Sequence, residues 1–226
     1  MALTHLAIIL DGNRRWAKAQ GLPTLEGHRR GYANVKDIGL ACLDRGITQF
    51  TVFAFSTENW NRSQEEVSYL MDLLHIALTV ELDYYMKNNV RLKVIGRREG
   101  LSEKMLAAIE QAEQKTAGNT RGQFNLCVNY GGRAEIVDAV KSLLRSGVSA
   151  DEITDEVVAR HTWMAGIPDP DLIIRTSGEQ RLSGFLTWSG VYSELLFLDV
   201  AWPAFTVQDL DAAVAEFASR ERRFGK

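Results

Sequence analysis

Two cysteines, four prolines and four histidines in 226 residues leave little room for several common devices. Cys42 and Cys127 lie far apart inside apolar runs without metal-ligand spacing. This argues against a disulfide framework or a zinc site and in favour of small core residues in a reducing compartment. No stretch approaches the ~20 apolar residues that span a bilayer. The N-terminus enters an apolar run almost at once, without the charged, apolar and small-residue triplet of a signal peptide. A soluble, cytoplasmic protein is expected. The formal charge of −3 argues against a nucleic-acid partner held by bulk electrostatics. No internal repeat, low-complexity tract or linker interrupts the chain, so 1–226 reads as one domain. Its 46% hydrophobic content is enough for a full core.

What is present is an alternation. Strand-like apolar runs (Leu6 to Leu10, Gln49 to Phe55, Arg91 to Ile95, Phe124 to Asn129, Leu172 to Ile174) are separated by helix-like segments. This predicts an α/β fold with a largely parallel central sheet flanked by helices. Pro23, Pro168, Pro170 and Pro203 fall where loops are expected. From Glu65 to Asn88, Val67, Leu70, Met71, Leu74, Ala77, Leu78, Leu82 and Tyr85 recur at helical spacing, which reads either as a core helix or as one wall of an apolar site.

Three strand ends deliver polar groups. Leu6–Leu10 runs into Asp11-Gly12-Asn13-Arg14-Arg15-Trp16. There the carboxylate can hold Mg²⁺, Gly12 lets backbone N–H groups approach an anion, and two guanidinium forks can grip phosphate oxygens. The other reading of this motif is a helix-capping turn with solvated arginines. The second strand ends in Ser56-Thr57-Glu58-Asn59-Trp60-Asn61-Arg62, and a later one runs Arg175-Thr176-Ser177-Gly178-Glu179-Gln180-Arg181-Leu182-Ser183. In open α/β sheets such loops gather into one crevice, so basic groups at three strand ends point to a shared anion site. Glu194, among apolar neighbours, reads as either a structural ion pair or a metal ligand.

These motifs, with Gly27-His28, Asn129-Tyr130-Gly131-Gly132-Arg133 and the terminal Arg222-Arg223-Phe224-Gly225, resemble the cis-prenyltransferases, the undecaprenyl diphosphate synthase family, in order and spacing over essentially the whole chain. The aspartate-rich helices of the trans-acting synthases have no counterpart here, since the chain contains no Asp-Asp pair. The resemblance implies a soluble homodimer with an apolar tunnel between the sheet and the long helix. Farnesyl or another allylic diphosphate would be extended with isopentenyl diphosphate to a long, membrane-associated product such as undecaprenyl diphosphate. By resemblance, Gly12, Asn13, Arg14, Arg15, Trp16, Thr24 and His28 hold the allylic diphosphate, and Ser56, Thr57, Glu58, Trp60 and Arg62 line the same mouth. Arg175, Arg181, Leu182 and Ser183 serve isopentenyl diphosphate, Asp11 and Glu194 organise Mg²⁺, and Asn59 assists the proton step.

Several positions depart from the family pattern. Thr24 stands where an arginine is frequent and Arg14 where a glycine is. Gly184 and Ser189 replace an Asn and a Gln, and Ala204 replaces an Asp. These departures bear on product length and rate. A short-chain or branching synthase and a noncatalytic partner subunit are the alternatives, although partner subunits typically lose the aspartate that Asp11 supplies. The segment Ser56–Glu66, polar and carrying Trp60, is expected to act as a lid.

Overall fold

The five expected strands and one further strand close into one sheet. The computed structural model describes residues 2–220. It contains strands β1 (His5–Ile9), β2 (Gln49–Ser56), β3 (Val90–Ile95), β4 (Gly122–Tyr130), β5 (Leu172–Arg175) and β6 (Glu194–Phe197) in the order β3-β4-β2-β1-β5-β6. Every pairing is parallel. Parallel neighbours need crossover connections, and up to β5 these are supplied by helices α1 (Asn13–Ala19), α2 (Thr24–Asp44), α3 (Gln64–Leu78), α4 (Leu82–Lys87), α5 (Glu103–Thr116), α6 (Gly132–Ser146) and α7 (Asp155–His161), whereas residues 176–193 join β5 to β6 through turns alone, and α8 (Val207–Ser219) follows β6. Among the described residues, no helix is long and apolar enough to cross a membrane. The terminal Arg222–Gly225 motif lies outside the described residues.

Strand alternation divides the core in two. Leu6 and Ile8 of β1, Phe50 and Val52 of β2, Phe124 and Leu126 of β4, and Leu172 and Ile174 of β5 pack with α2, α3, α5 and α8 in the larger cluster. The intervening Ala7, Ile9, Cys127 and Ile173 join Met164, Phe185 and Leu186 on the other face. With both faces covered, all five residues of β1 are buried, as a central parallel strand requires.

Two elements differ from the sequence reading. The helix read from Glu65 to Asn88 is broken at residues 79–81 into α3 and α4. The Thr79 hydroxyl donates to the His75 carbonyl at 2.6 Å, while the N–H groups of Thr79 and Glu81 both turn to the Ile76 carbonyl, so the regular ladder ends there. β6 was not expected because four residues opening on a glutamate carry too little periodicity to read.

On the thinner face, His5 is fully buried. A carbonyl can only accept, so its Nδ1–H donates to the Pro168 carbonyl at 2.7 Å and Nε2 accepts from the Thr51 hydroxyl at 2.7 Å. Asn125 donates to the same hydroxyl at 3.0 Å. Burial pushes the imidazole down to about 4. Protonation is therefore taken up preferentially by the unfolded chain between its ordinary value near 6.5 and about 4, and stability falls as pH drops through that window. Denaturant midpoints should show a loss of roughly 3 kcal/mol from this residue between pH 7 and pH 4, absent in His5→Gln. An unchanged pH slope in the variant would mean that His5 carries none of it.

Candidate functional site

β1 lies between β2 and β5, and its successors depart first to one side and then to the other. The C-terminal ends of β1 and β5 thus flank the switch point where open α/β sheets bind ligands. Asp11 follows β1 and Arg175 ends β5, and their side chains meet there, with Arg175 Nη2 donating to Asp11 Oδ2 at 2.8 Å. The Asp11 carbonyl is pinned by the Thr176 hydroxyl at 2.8 Å and the Trp202 N–H at 2.9 Å. Burial works to raise the Asp11 carboxyl. The hydrogen bonds from Arg175 and the Gly12 N–H, with the Arg15 charge, outweigh it and hold it below the usual range.

Arg175 is buried and also donates to the Arg181 carbonyl and the Ser183 hydroxyl, while its Nε is buried without a partner. It therefore clamps the 181–183 segment against Asp11. Ser183 adopts φ +51 and Ser177 φ +76, so the segment is shaped by left-handed turns. Gly12 sits at φ +100, and a Cβ there would come within 2.6 Å of Ser177 Oγ and 2.9 Å of Ala201 Cβ. Only glycine lets the turn after β1 press against the turn after β5. Arg15 reaches Asp11 at 3.3 Å and Glu179 at 3.4 Å, and Arg181 pairs with the same Glu179 at 2.5 Å. One carboxylate thus draws guanidinium groups from two strand ends together.

A second charged cluster sits at the start of α2 and α3. Glu66, buried in the first turn of α3, accepts from His28 Nε2 at 2.9 Å and Arg62 at 2.8 Å, with Arg14 at 3.8 Å. Burial lowers His28 against the pull of Glu66, whereas the hydrogen bond from His28 and the Arg62 and Arg14 charges hold Glu66 low despite its burial. A neutral imidazole donating to an ionised carboxylate satisfies both. Glu66 was not among the expected site residues, because an acid in the first turn of a helix is ordinary in sequence.

The two clusters open into a cavity of about 1780 Å³. Asp11, Gly12, Asn13, Arg14, Arg15, Thr24, His28, Ser56, Thr57, Glu58, Asn59, Arg62, Arg175, Leu182 and Ser183 all line it, as do Lys18 and Arg133, which the sequence reading did not assign. Its apolar part runs between Val52, Ala54 and Leu126 of the sheet and Leu70, Leu74 and Ala77 of α3. Trp16, Trp60, Arg181 and Glu194 stand outside the lining. Trp60 donates its indole N–H to Asn129 at 2.8 Å and packs edge-on against Phe55. The segment expected as a lid is a capped turn: Asn59 Oδ1 accepts the Ser56 N–H at 3.0 Å, and Ser63 caps α3.

Glu194 does not join Asp11. It opens β6 in register with Leu172, whereas Arg175 pairs with Phe197, about 10 Å further along the strands. It binds Arg220 at 3.0 Å, the ion-pair alternative. Among the described residues, no three acidic, histidine or cysteine side chains gather as a metal cage. Among the described residues, the switch point offers the partly exposed carboxylate of Asp11, while the neighbouring Glu179 is engaged by Arg15 and Arg181. A carboxylate so placed suits Mg²⁺, which is commonly held by one or two carboxylates together with substrate phosphate oxygens and water.

Comparisons with known proteins agree with this geometry. Residues 9–225 match the family model described as "Putative undecaprenyl diphosphate synthase". An isoprenyl transferase of Chromobacterium violaceum is 50% identical over 98% of this chain and 88% of its own length. That of Thermotoga maritima is 46% identical over 98% and 96%. Among solved structures, lavandulyl diphosphate synthase from Lavandula x intermedia in complex with dimethylallyl diphosphate superposes with a TM-score of 0.95 at 34% identity, covering 100% of this chain and 99% of that one. A Campylobacter jejuni protein described as a "probable undecaprenyl diphosphate synthase" gives 0.84 at 32% identity, with 99% of both chains covered.

Proposed function

This chain belongs to the undecaprenyl diphosphate synthase family of prenyltransferases, and on that premise we propose that it extends an allylic diphosphate with successive isopentenyl diphosphate units in cis geometry to a long-chain polyprenyl diphosphate, using 1–226 as one catalytic domain. The observation that carries this reading is the junction of a cationic strand-end crevice with an apolar channel along α3. That pairing fits a substrate with a diphosphate head and a hydrocarbon tail. The dimethylallyl diphosphate bound by the lavender enzyme supports an allylic diphosphate in the same crevice.

In this mechanism Arg14 and Arg62, oriented by Glu66, hold the allylic diphosphate together with Arg15 near His28, while Arg175, Arg181 and Ser183 serve isopentenyl diphosphate. Two polyanions side by side repel each other, and fixed guanidinium groups offset that repulsion. Asp11 would hold Mg²⁺, which supplies Lewis-acid stabilisation of the departing diphosphate. As the allylic C–O bond breaks, the arginines stabilise the leaving group more than the bound ester, so they act on the transition state. The isopentenyl double bond then attacks the allylic carbon, and the proton lost as the new double bond forms passes to the departed diphosphate. Asn59 is neutral and its amide oxygen is engaged by Ser56, which supports a positioning role in that step. The apolar walls hold the product between cycles, with up to ~0.8 kcal/mol per buried carbon.

The exposed Val137, Val140 and Leu144, spaced along one side of α6, support self-association as a homodimer. A protein of this kind would act in the cytoplasm and release its product to a membrane. The test is incubation with labelled isopentenyl diphosphate, Mg²⁺ and a panel of allylic primers, followed by product sizing. Products of many units are expected. A single condensation would move the assignment to a short-chain or branching synthase, and no condensation would leave the noncatalytic reading. Arg181→Ala, whose side chain is exposed, should raise the KM for isopentenyl diphosphate about tenfold and that for the primer much less. Equal rises would refute this division of the arginines.

A further inference from the structure

The apolar channel has a defined far end. Along α2 its lining runs from Thr24 to Lys36 and no further, about 18 Å at 1.5 Å per residue, although the helix continues to Asp44. Along α3 the lining stops at Ala77, and of α4 it takes in Tyr85. An ion pair occupies this end: Lys36 Nζ lies 2.8 Å from Glu81 Oε1, with both side chains only 23% exposed. Glu81 belongs to the break between α3 and α4, so the interruption of the helix brings a carboxylate against Lys36, the last residue of α2 in the lining. Aromatic groups surround the pair. The ammonium lies 5.7 Å and 5.4 Å from the ring centroids of Tyr32 and Tyr84, and the Tyr84 hydroxyl donates to the Lys36 carbonyl at 3.0 Å. The Glu81 hydrogen bond and cation–π attraction fix the ammonium, and the Tyr84 hydrogen bond holds the Lys36 backbone.

We propose that the Lys36–Glu81 ion pair is the end stop of the channel and sets the length of the product; the proposal rests on the chain-elongation reading above. A growing hydrocarbon meets apolar walls until its tip reaches Lys36. To advance further it must part the ammonium from Glu81 and leave two half-buried charges without partners, a step that burial of more hydrocarbon does not compensate. The stop is electrostatic as well as steric. It acts on the tail, at the far end from the groups that hold the diphosphates.

Product sizing on the full-length protein tests this, with farnesyl diphosphate as primer and labelled isopentenyl diphosphate. The double variant Lys36→Met, Glu81→Leu, similar in volume but apolar, should shift the main product upward by at least one five-carbon unit. The charge swap Lys36→Glu, Glu81→Lys should keep the wild-type length. Glu81→Gln, which keeps shape and hydrogen bonding but removes a charge, guards against misfolding of the double variant and should also lengthen the product. Wild-type length in a folded double variant or in Glu81→Gln overturns the proposal, as does lengthening by the charge swap. A wild-type protein that binds both diphosphates but adds no unit overturns the elongation reading itself, and this is measured before any variant.

Discussion

Asp11→Ala is expected to lower kcat by about three orders of magnitude, ~4 kcal/mol of transition-state stabilisation, and to weaken the fold as well. The carboxylate stands at the switch point, partly exposed and placed where it could hold Mg²⁺. It is also the partner of Arg175, whose side chain is only 6% exposed. Removing one member of a largely buried pair leaves the other uncompensated, at a cost of about 3 kcal/mol. For a chain of this size the melting temperature would fall by roughly 6–12 °C. Asp11→Asn separates the two effects, because the amide keeps the volume and an oxygen for Arg175. It should show a similar loss of kcat with less than half the fall in melting temperature. Asp11 is held low in the folded state, so its contribution is complete above the ordinary carboxylate range and disappears as pH falls through the depressed value. Single-turnover rates and thermal melts on the three proteins decide the matter. An Asn variant retaining more than a tenth of wild-type turnover would remove the carboxylate from metal chemistry.

Glu66→Ala should reduce kcat/KM for the allylic primer by at least tenfold while changing the KM for isopentenyl diphosphate little. Glu66 touches no part of the switch-point cluster. It holds Arg62, Arg14 and His28 in one geometry, and misplaced cationic groups lose much of their value to a bound anion. The buried His28 would lose its acceptor, so a stability loss of about 2–3 kcal/mol is expected alongside. Glu66→Gln keeps an acceptor and should recover most of the stability but only part of the activity. The diagnostic is selectivity between substrates, since a purely structural role would depress both together. Equal losses for primer and isopentenyl diphosphate would assign Glu66 to packing alone.

Much of the architecture was legible because β1, β2, β4 and β5 are buried strands, and their apolar runs are bounded by the polar turns that make up the site. Asp11, Arg14, Arg15 and Arg175 could be read for the same reason: a charge placed directly after a buried strand has few innocent explanations. What stayed hidden depends on partners distant in sequence. Glu66 gains its meaning from His28, 38 residues earlier, and His5 from Pro168. Glu194, at the start of β6, reads in sequence equally as an ion-pair partner or a metal ligand, because its partner Arg220 lies 26 residues away and leaves no local signal. The break between α3 and α4 was masked by an apolar periodicity that continues through it, while Thr79 diverts the backbone bonds.

The pairing of Leu6 with Leu172 also governs the order in which a ribosome can deliver this protein. β1 leaves the exit tunnel well before β5, and one of its edges has no neighbour until residues 172–175 have been translated. During that interval a strand buried throughout in the finished fold offers an open row of amide groups to any other chain. The Asp11–Arg175 contact closes only when this gap is filled. Chemical competence therefore arrives late in synthesis, and a polypeptide truncated before β5 would carry every residue of the first motif with no site to place it in.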